Sequence, residues 1–269
     1  MQQQTPKWLT HFITAFGTDG VIALAWWLGA RNAVEIRDLQ QSYPFLRIVP
    51  AGSDSLDVKD LLGTLSVLSG FKDAEFFANA NYTPLALRYS LFVDTNLPLV
   101  LTKMNGHGTH FNDWDALKPM YNNCTLHSTS HRVAPEPPDK PFTRSLVLVA
   151  EHGDGPNLPG RTVDLSVDLK CLVGAMKLAE QVLHAHDMLA LDANARRQMI
   201  YRLGGIAEHT NSIADDLGQA ISNRDAKNHA QLICLVHVLV DAFHLPEDEA
   251  SRAIRHIHGM AAGTVDIEF

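Results

Sequence analysis

The chain has 269 residues, 46% of them hydrophobic and 19% charged, with a formal net charge of -8 and a pI near 5.9. That length and composition describe one large or two small globular domains with a sizeable core. The acidic balance argues against a broad nucleic-acid footprint, which needs a basic surface, but leaves room for a local basic channel in an assembled ring. No apolar run is expected to reach the about 20 residues that span a bilayer. The first residues, Met1 to Lys7, lack the pattern of a secretory signal. Cys124, Cys171 and Cys234 lie far apart with no metal-like spacing. A cytoplasmic setting is the expectation.

The stretch Trp8 to Gln41 reads as helical, with an interruption expected at Gly17 to Gly20. Phe45 to Val49 reads as a buried strand. Val58 to Ser69 follows as a helix, with Gly70 as its stop signal. Phe76 to Ala78 reads as a short strand, and Thr83-Pro84 starts a helix that runs to about Val93. Pro98 to Lys103 is a compact apolar strand of the kind found inside a parallel sheet. Trp114 to Tyr121 reads as a short helix. Arg144 to Ala150 and Thr162 to Val167 read as two further strands flanking a Gly/Pro-rich loop. From Leu169 the pattern turns helical: Leu169 to Met188, Ala193 to Ser222, Asp225 to Phe243 and Glu247 to Met260. Strands alternating with helices and then helices alone imply an α/β core with a helical C-terminal subdomain. The expected segments are 1–43 (N-terminal helices), 44–168 (core) and 169–269 (C-terminal helices).

The most informative segment joins the first strand to its helix: Pro50-Ala51-Gly52-Ser53-Asp54-Ser55-Leu56-Asp57. Strand, glycine loop and helix N-terminus are the layout of a phosphate-binding P-loop, in which backbone N–H groups hold an anion. An active loop continues with a second glycine, Lys, and Ser or Thr. Asp54, Ser55 and Leu56 stand there instead. The lysine that would neutralise phosphate charge and the hydroxyl that would hold magnesium are both missing. Asp54 adds a negative charge where phosphates would sit. Lys59 is the one lysine nearby, and Asp57 and Asp60 beside it would oppose an anion.

The surroundings extend the likeness. Ala23-Leu24-Ala25-Trp26-Trp27-Leu28-Gly29-Ala30 and the segment Ile36 to Leu46 resemble the start of the helicase module of primase–helicases in phages and mobile elements. Asn96 to Leu101 is similar to that family's Walker B strand, and Asp113 to Asn122 to its next helix. Ser145 to Val149 resembles its sensor strand, and Arg161-Thr162-Val163-Asp164-Leu165 the strand carrying its arginine finger. Asn228 to Leu232 resembles a helix of its C-terminal part. The resemblance implies a P-loop NTPase-like (AAA+/helicase-type) fold, with Gly52 to Asp57 as the phosphate loop and Arg161 as a finger offered to a neighbour. The departures fall on the chemistry. The Walker B strand ends Thr102-Lys103-Met104-Asn105 where acidic residues are needed, and the sensor strand ends Ala150-Glu151-His152 where a polar residue such as Asn is needed.

Other constellations compete less well. Asn105 to His110 resembles the histidine motif of subtilisin-like proteases, but no matching serine segment exists. His107, His110, His127 and His131 have spacings zinc tolerates, yet fourteen histidines produce close pairs by chance. His237, Asp241 and His244 share a helix face. His186-Asp187 resembles the dyad of HD phosphohydrolases without its other ligands. Glu151 to Gly155 resembles a short flavin-oxidase segment and reads better as a turn. The expected function is a helicase-related P-loop protein deficient in ATPase activity, a binding or assembly factor in mobile-element replication. It would carry no resident metal, and ATP and magnesium only if residual binding exists. Its partner would be an active relative or further copies of itself in a ring. An active ATP-dependent helicase and a metal-dependent hydrolase centred on His107 and His110 are the alternatives.

Overall fold

The computed structural model describes residues 4–50, 56–71, 76–78, 95–102, 114–122, 142–149, 158–167, 172–183, 186–217 and 221–263. All five segments expected as strands form one parallel sheet: β1 (Phe45–Pro50), β2 (Phe76–Ala78), β3 (Leu99–Thr102), β4 (Leu146–Val149) and β5 (Thr162–Val167). Their spatial order is β2-β3-β4-β1-β5. β1 runs beside β5 along its whole length, from Phe45 opposite Thr162 to Pro50 opposite Val167. On its other side Leu46 faces Val147 and Ile48 faces Val149.

The period of two in a strand sorts the apolar residues onto two faces. Leu46, Ile48, Val100, Val147, Val163 and Leu165 enter the larger core. Phe45, Leu99, Leu101, Leu146 and Leu148 enter a smaller one on the opposite face. The larger core is closed by α1 (Lys7–Arg31), α3 (Leu56–Leu68) and the C-terminal helices. Those helices are α4 (Leu172–Val182), α5 (Ala193–Gly204), α6 (Ile206–Leu217), α7 (Asn223–Phe243) and α8 (Glu247–Gly263); α2 (Ala33–Gln40) follows α1. The smaller core is closed by Leu117, Met120 and Tyr121 of a 3-10 helix, Trp114–Tyr121.

Several expectations need correction. The N-terminal interruption is confined to Gly17, whose φ of 59° and ψ of -154° kink an otherwise continuous α1; Gly20 stays helical. The expected Ala193 to Ser222 helix is two helices, broken at Gly204-Gly205, where two glycines weaken the backbone preference for helix. The helix expected over Leu169 to Met188 ends at Val182. Pro119 lies inside the segment Trp114–Tyr121, which is a 3-10 helix. The helix from Thr83 to Val93 lies outside the described residues. By length and hydropathy alone, α1 is apolar enough to cross a membrane, contrary to expectation, but 72% of that window is buried within the protein. Its apolar residues serve the core.

The tryptophan pair of α1 shows how. Trp26 and Trp27 are both fully buried. Trp26 donates its indole N–H to the Pro44 carbonyl at 2.9 Å, and Trp27 donates to Ser69 Oγ at 2.9 Å. The Tyr43 hydroxyl returns a bond to the Trp26 carbonyl at 2.5 Å. These bonds fix the start of β1 and the end of α3 against one helix.

α4 crosses α1 at Gly174. A Cβ there would lie 2.5 Å from the Ala15 nitrogen and 2.8 Å from the Thr14 carbonyl carbon, both main-chain atoms of a helix that cannot yield locally. Gly174→Ala gains about 1 kcal/mol of helix propensity, but forcing the helices apart costs about 1–3 kcal/mol. The expected outcome is a net loss of stability in urea unfolding. A variant as stable as the wild type would show that the crossing is loose.

Candidate functional site

The sheet order determines where a ligand belongs. β1 connects through α3, on the face of the larger core, and its sequence successor β2 lies at the far edge. β4, the neighbour of β1, is followed in sequence by β5 on the other side of β1. Neighbouring strands whose connections leave in opposite directions open a crevice at their carboxyl ends, the topological switch point of an α/β sheet. Here that point is the carboxyl end of β1, beside β4. The same order puts the carboxyl ends of β1, β4 and β3 next to one another. These are the strands whose sequences resemble the phosphate-loop, sensor and Walker B strands.

Gly52, Ser53, Asp54 and Ser55 lie outside the described residues. Leu56 and Asp57 open α3, so the segment does run from a strand into a helix N-terminus. Lys59 is exposed on the first turn of α3. β3 is described to Thr102 and β4 to Val149; Lys103 to Asn105 and Ala150 to His152 fall outside, as do His107, His110, His127, His131, Cys124 and Cys171.

Arg161 sits at the other end of the sheet. It immediately precedes β5, and its carbonyl accepts from Phe45 N–H at 2.8 Å, level with the amino end of β1. Six residues of strand, about 20 Å at 3.3 Å per residue, separate it from the start of the β1–α3 loop. No arginine side chain spans that distance, so Arg161 cannot act on a ligand in the loop of its own chain. Nor does it pair with Asp164 across its own strand. Asp164 is held instead by Arg47, its register partner on β1, which donates Nε to Oδ1 at 2.9 Å and Nη2 to Oδ2.

The guanidinium of Arg161 lies over the ring of Tyr121, 5.9 Å from its centroid, and Arg224 from the first turn of α7 lies over the same ring at 5.9 Å. Tyr121 is fixed by its hydroxyl, which donates to Asn228 Oδ1 at 2.7 Å, while Asn228 Nδ2 donates to the Gly160 carbonyl at 3.1 Å. Further along α7, Gln231 donates to the Ser42 carbonyl at 3.1 Å. Lys227 reaches the Gln40 carbonyl at 2.6 Å. The first half of α7 therefore ties down the amino ends of β1 and β5. Burial pushes the Tyr121 phenol above its ordinary range, against a Ser42 hydrogen bond and the two arginines. Nothing in the local sequence pattern links Tyr121 to Arg224, and the cluster was not foreseen.

The other histidine and carboxylate groupings among the described residues have partners within the fold. Asp241 accepts two bonds from Arg202, at 2.7 and 2.9 Å. His237 stacks on His209 of α6, and His244 closes α7 in the left-handed conformation. The face His237–Asp241–His244 is thus shared among three different tasks. Asp187 forms a two-point ion pair with Arg31, which replaces the dyad suggested by His186-Asp187. Among the described residues no group of histidine, cysteine and carboxylate side chains is placed to hold a metal ion. Cys234 is buried as a free thiol, and burial pushes its pKa up to about 12.

No family model matches the chain, and no curated protein matches it in sequence. Among solved structures, it is similar to one described as SCCmec type IV Cch, an active helicase, with a TM-score of 0.64 at 12% identity. That match covers 96% of this chain and 51% of the other, so the chain spans about half the length of the helicase it resembles. A second match, an inhibitor-bound JCV helicase, has a TM-score of 0.34 at 14% identity over 93% of this chain and 61% of that one, and adds nothing to the assignment. The fold is α/β and P-loop NTPase-like, with helices flanking a parallel sheet.

Proposed function

We propose that the chain is a helicase-related P-loop protein that has lost ATP hydrolysis and serves as a binding or assembly factor in the replication of a phage or mobile element. One observation carries the reading: the segment at the switch point, between β1 and α3, reads Gly52-Ser53-Asp54-Ser55-Leu56. It offers no lysine for the phosphates and no hydroxyl at the magnesium position, and it adds a carboxylate. The strand resembling Walker B supports it, since Thr102 and Lys103 stand where magnesium-holding acids belong. Arg161, out of reach of its own loop, is suited to a neighbour's site. In this reading the partner is an active helicase relative or other copies in a ring.

Titrating the chain with ATP and magnesium by calorimetry tests this directly. Charge-assisted phosphate contacts contribute about 1.5–3 kcal/mol each. Losing three of them removes most of the about 8 kcal/mol behind a micromolar affinity. The expected result is weak or undetectable binding. Micromolar binding would overturn the reading in favour of an active ATP-dependent helicase.

A further inference from the structure

The sheet stops at β5, whose one strand neighbour among the described residues is β1. Phe45 N–H donates to the Arg161 carbonyl, so the period of two turns the main-chain groups of Val163, Leu165 and Val167 toward β1. Those of Thr162, Asp164 and Ser166 point outward and meet no main-chain partner among the described residues. Ser166 is exposed to solvent. A six-residue open edge of this kind is a template for a further strand. The six residues that follow α8 repeat the pattern that forms β5. β5 reads Thr162-Val163-Asp164-Leu165-Ser166-Val167, and the later segment reads Thr264-Val265-Asp266-Ile267-Glu268-Phe269. Both alternate polar residues with apolar ones of high strand preference, as a strand with one buried face does. In β5 the apolar set, Val163, Leu165 and Val167, enters the larger core. α8 packs against β5, and Ala261 in its last turn belongs to that same core. The segment therefore starts beside the open edge.

We propose that the outer edge of β5 is a docking surface for residues 264–269 of the same chain, which add to the sheet as a sixth strand. Six extended residues cover about 20 Å, the length of β5 itself. The other sheet edge, β2, has three residues and lies four strand spacings away, about 19 Å. Val265, Ile267 and Phe269 continue the apolar side that Val163 and Leu165 begin. A parallel offset of two residues sets Asp266 level with Ser166 instead of Asp164, which keeps two acids from standing side by side. A segment joined directly to a helix packed on β5 meets the edge at an effective concentration of roughly millimolar, well above that of a free second copy. Asp266 and Glu268 then charge the new edge, and a charged edge resists pairing with another chain. The added strand thus closes a surface through which copies of the sheet would otherwise join.

Hydrogen exchange, read amide by amide by NMR on the full chain, tests the added strand. The outward amides of Asp164 and Ser166 should exchange at least about tenfold more slowly in the wild type than in V265D/I267D, because the added strand supplies their acceptors. The amides of Val163, Leu165 and Val167, turned to β1, should exchange alike in both chains and so report that the variant is folded. Asp164 and Ser166 amides as fast in the wild type as in an unstructured peptide overturn the proposal, and that reading needs no variant. Equally slow exchange in the wild type and a folded V265D/I267D also overturns it, since something else then covers the edge. Isotope-labelled V265D/I267D mixed with unlabelled wild type separates the two sources of the strand. Protection regained by the labelled chain shows that the segment comes from a second copy, and overturns its assignment to the same chain. No protection in the mixture, with slow exchange in the wild type alone, is the result expected.

Discussion

Replacing Arg37 with alanine is expected to destabilise the fold by about 3–5 kcal/mol. Arg37 belongs to α2 and is 1% exposed, with no carboxylate paired to it among the described residues. It donates Nη1 to the Phe142 carbonyl at 3.0 Å and Nη2 to the Arg144 carbonyl at 2.9 Å. Arg144, itself fully buried, donates Nε to the Leu97 carbonyl at 2.8 Å. One helix thus positions the segment leading into β4, and that segment positions the one leading into β3. These strands carry the sensor-like and Walker B-like sequences to the switch point. Burial makes the charge costly and lowers the Arg37 pKa to about 10. Removing the cation recovers that cost, but it takes away the bonds that Arg37 gives the Phe142 and Arg144 carbonyls. Each charge-assisted bond is worth about 1.5–3 kcal/mol. A truncated side chain also leaves a cavity. Urea unfolding of Arg37→Ala and Arg37→Met separates the two terms, because Met refills the volume without restoring the two bonds. A loss under about 1 kcal/mol for the alanine variant would mean that water reaches these groups.

β1, β3 and β4 were legible as short apolar runs, and β5 as the alternation Thr162-Val163-Asp164-Leu165-Ser166-Val167. Phe45 to Pro50 shows this, with Phe45 and Leu46 serving opposite cores. The sheet order was not legible. It depends on which face each crossing helix covers, and that is settled by packing between residues a hundred positions apart. The same is true of the Tyr121 cluster, since Arg224 comes from a helix that begins 102 residues after the 3-10 helix ends. The Arg37 bridge is hidden for a similar reason: arginine on an eight-residue helix reads as solvated until the segment at 142–144 covers it. The missing lysine and hydroxyl of the β1–α3 loop, by contrast, are properties of sequence alone, and they remain the strongest statement about chemistry. The Gly204-Gly205 break was visible as a pair of glycines and was overridden by the apolar period on either side.

Mild acid should destabilise the protein before its carboxylates titrate, with the fully buried His229 contributing. His229 is fully buried in α7. One ring nitrogen, Nδ1, lies 2.8 Å from the Asp225 carbonyl, so it carries the proton and donates; Nε2 is enclosed with no partner. Burial lowers the pKa from its ordinary 6.5, outweighing the Asp225 carbonyl and the charges of Asp225 and Asp164, which act the other way. The folded chain keeps this ring neutral at a pH where the unfolded chain has already taken up a proton. Stability present above about pH 6.5 is therefore lost as the pH falls toward the folded-state value. A proton bound only by the unfolded chain is worth up to about 1.4 kcal/mol per pH unit. His209 and His237, stacked between α6 and α7, are also lowered chiefly by burial and act in the same direction, with a smaller weight because both are half-exposed. His229→Gln keeps a donor for the Asp225 carbonyl and removes the titration. Denaturant midpoints measured from pH 7.5 down to 5.5 should fall less steeply for that variant than for the wild type. Equal slopes would show that α7 accommodates the imidazolium, and that the two half-exposed histidines govern the acid sensitivity instead.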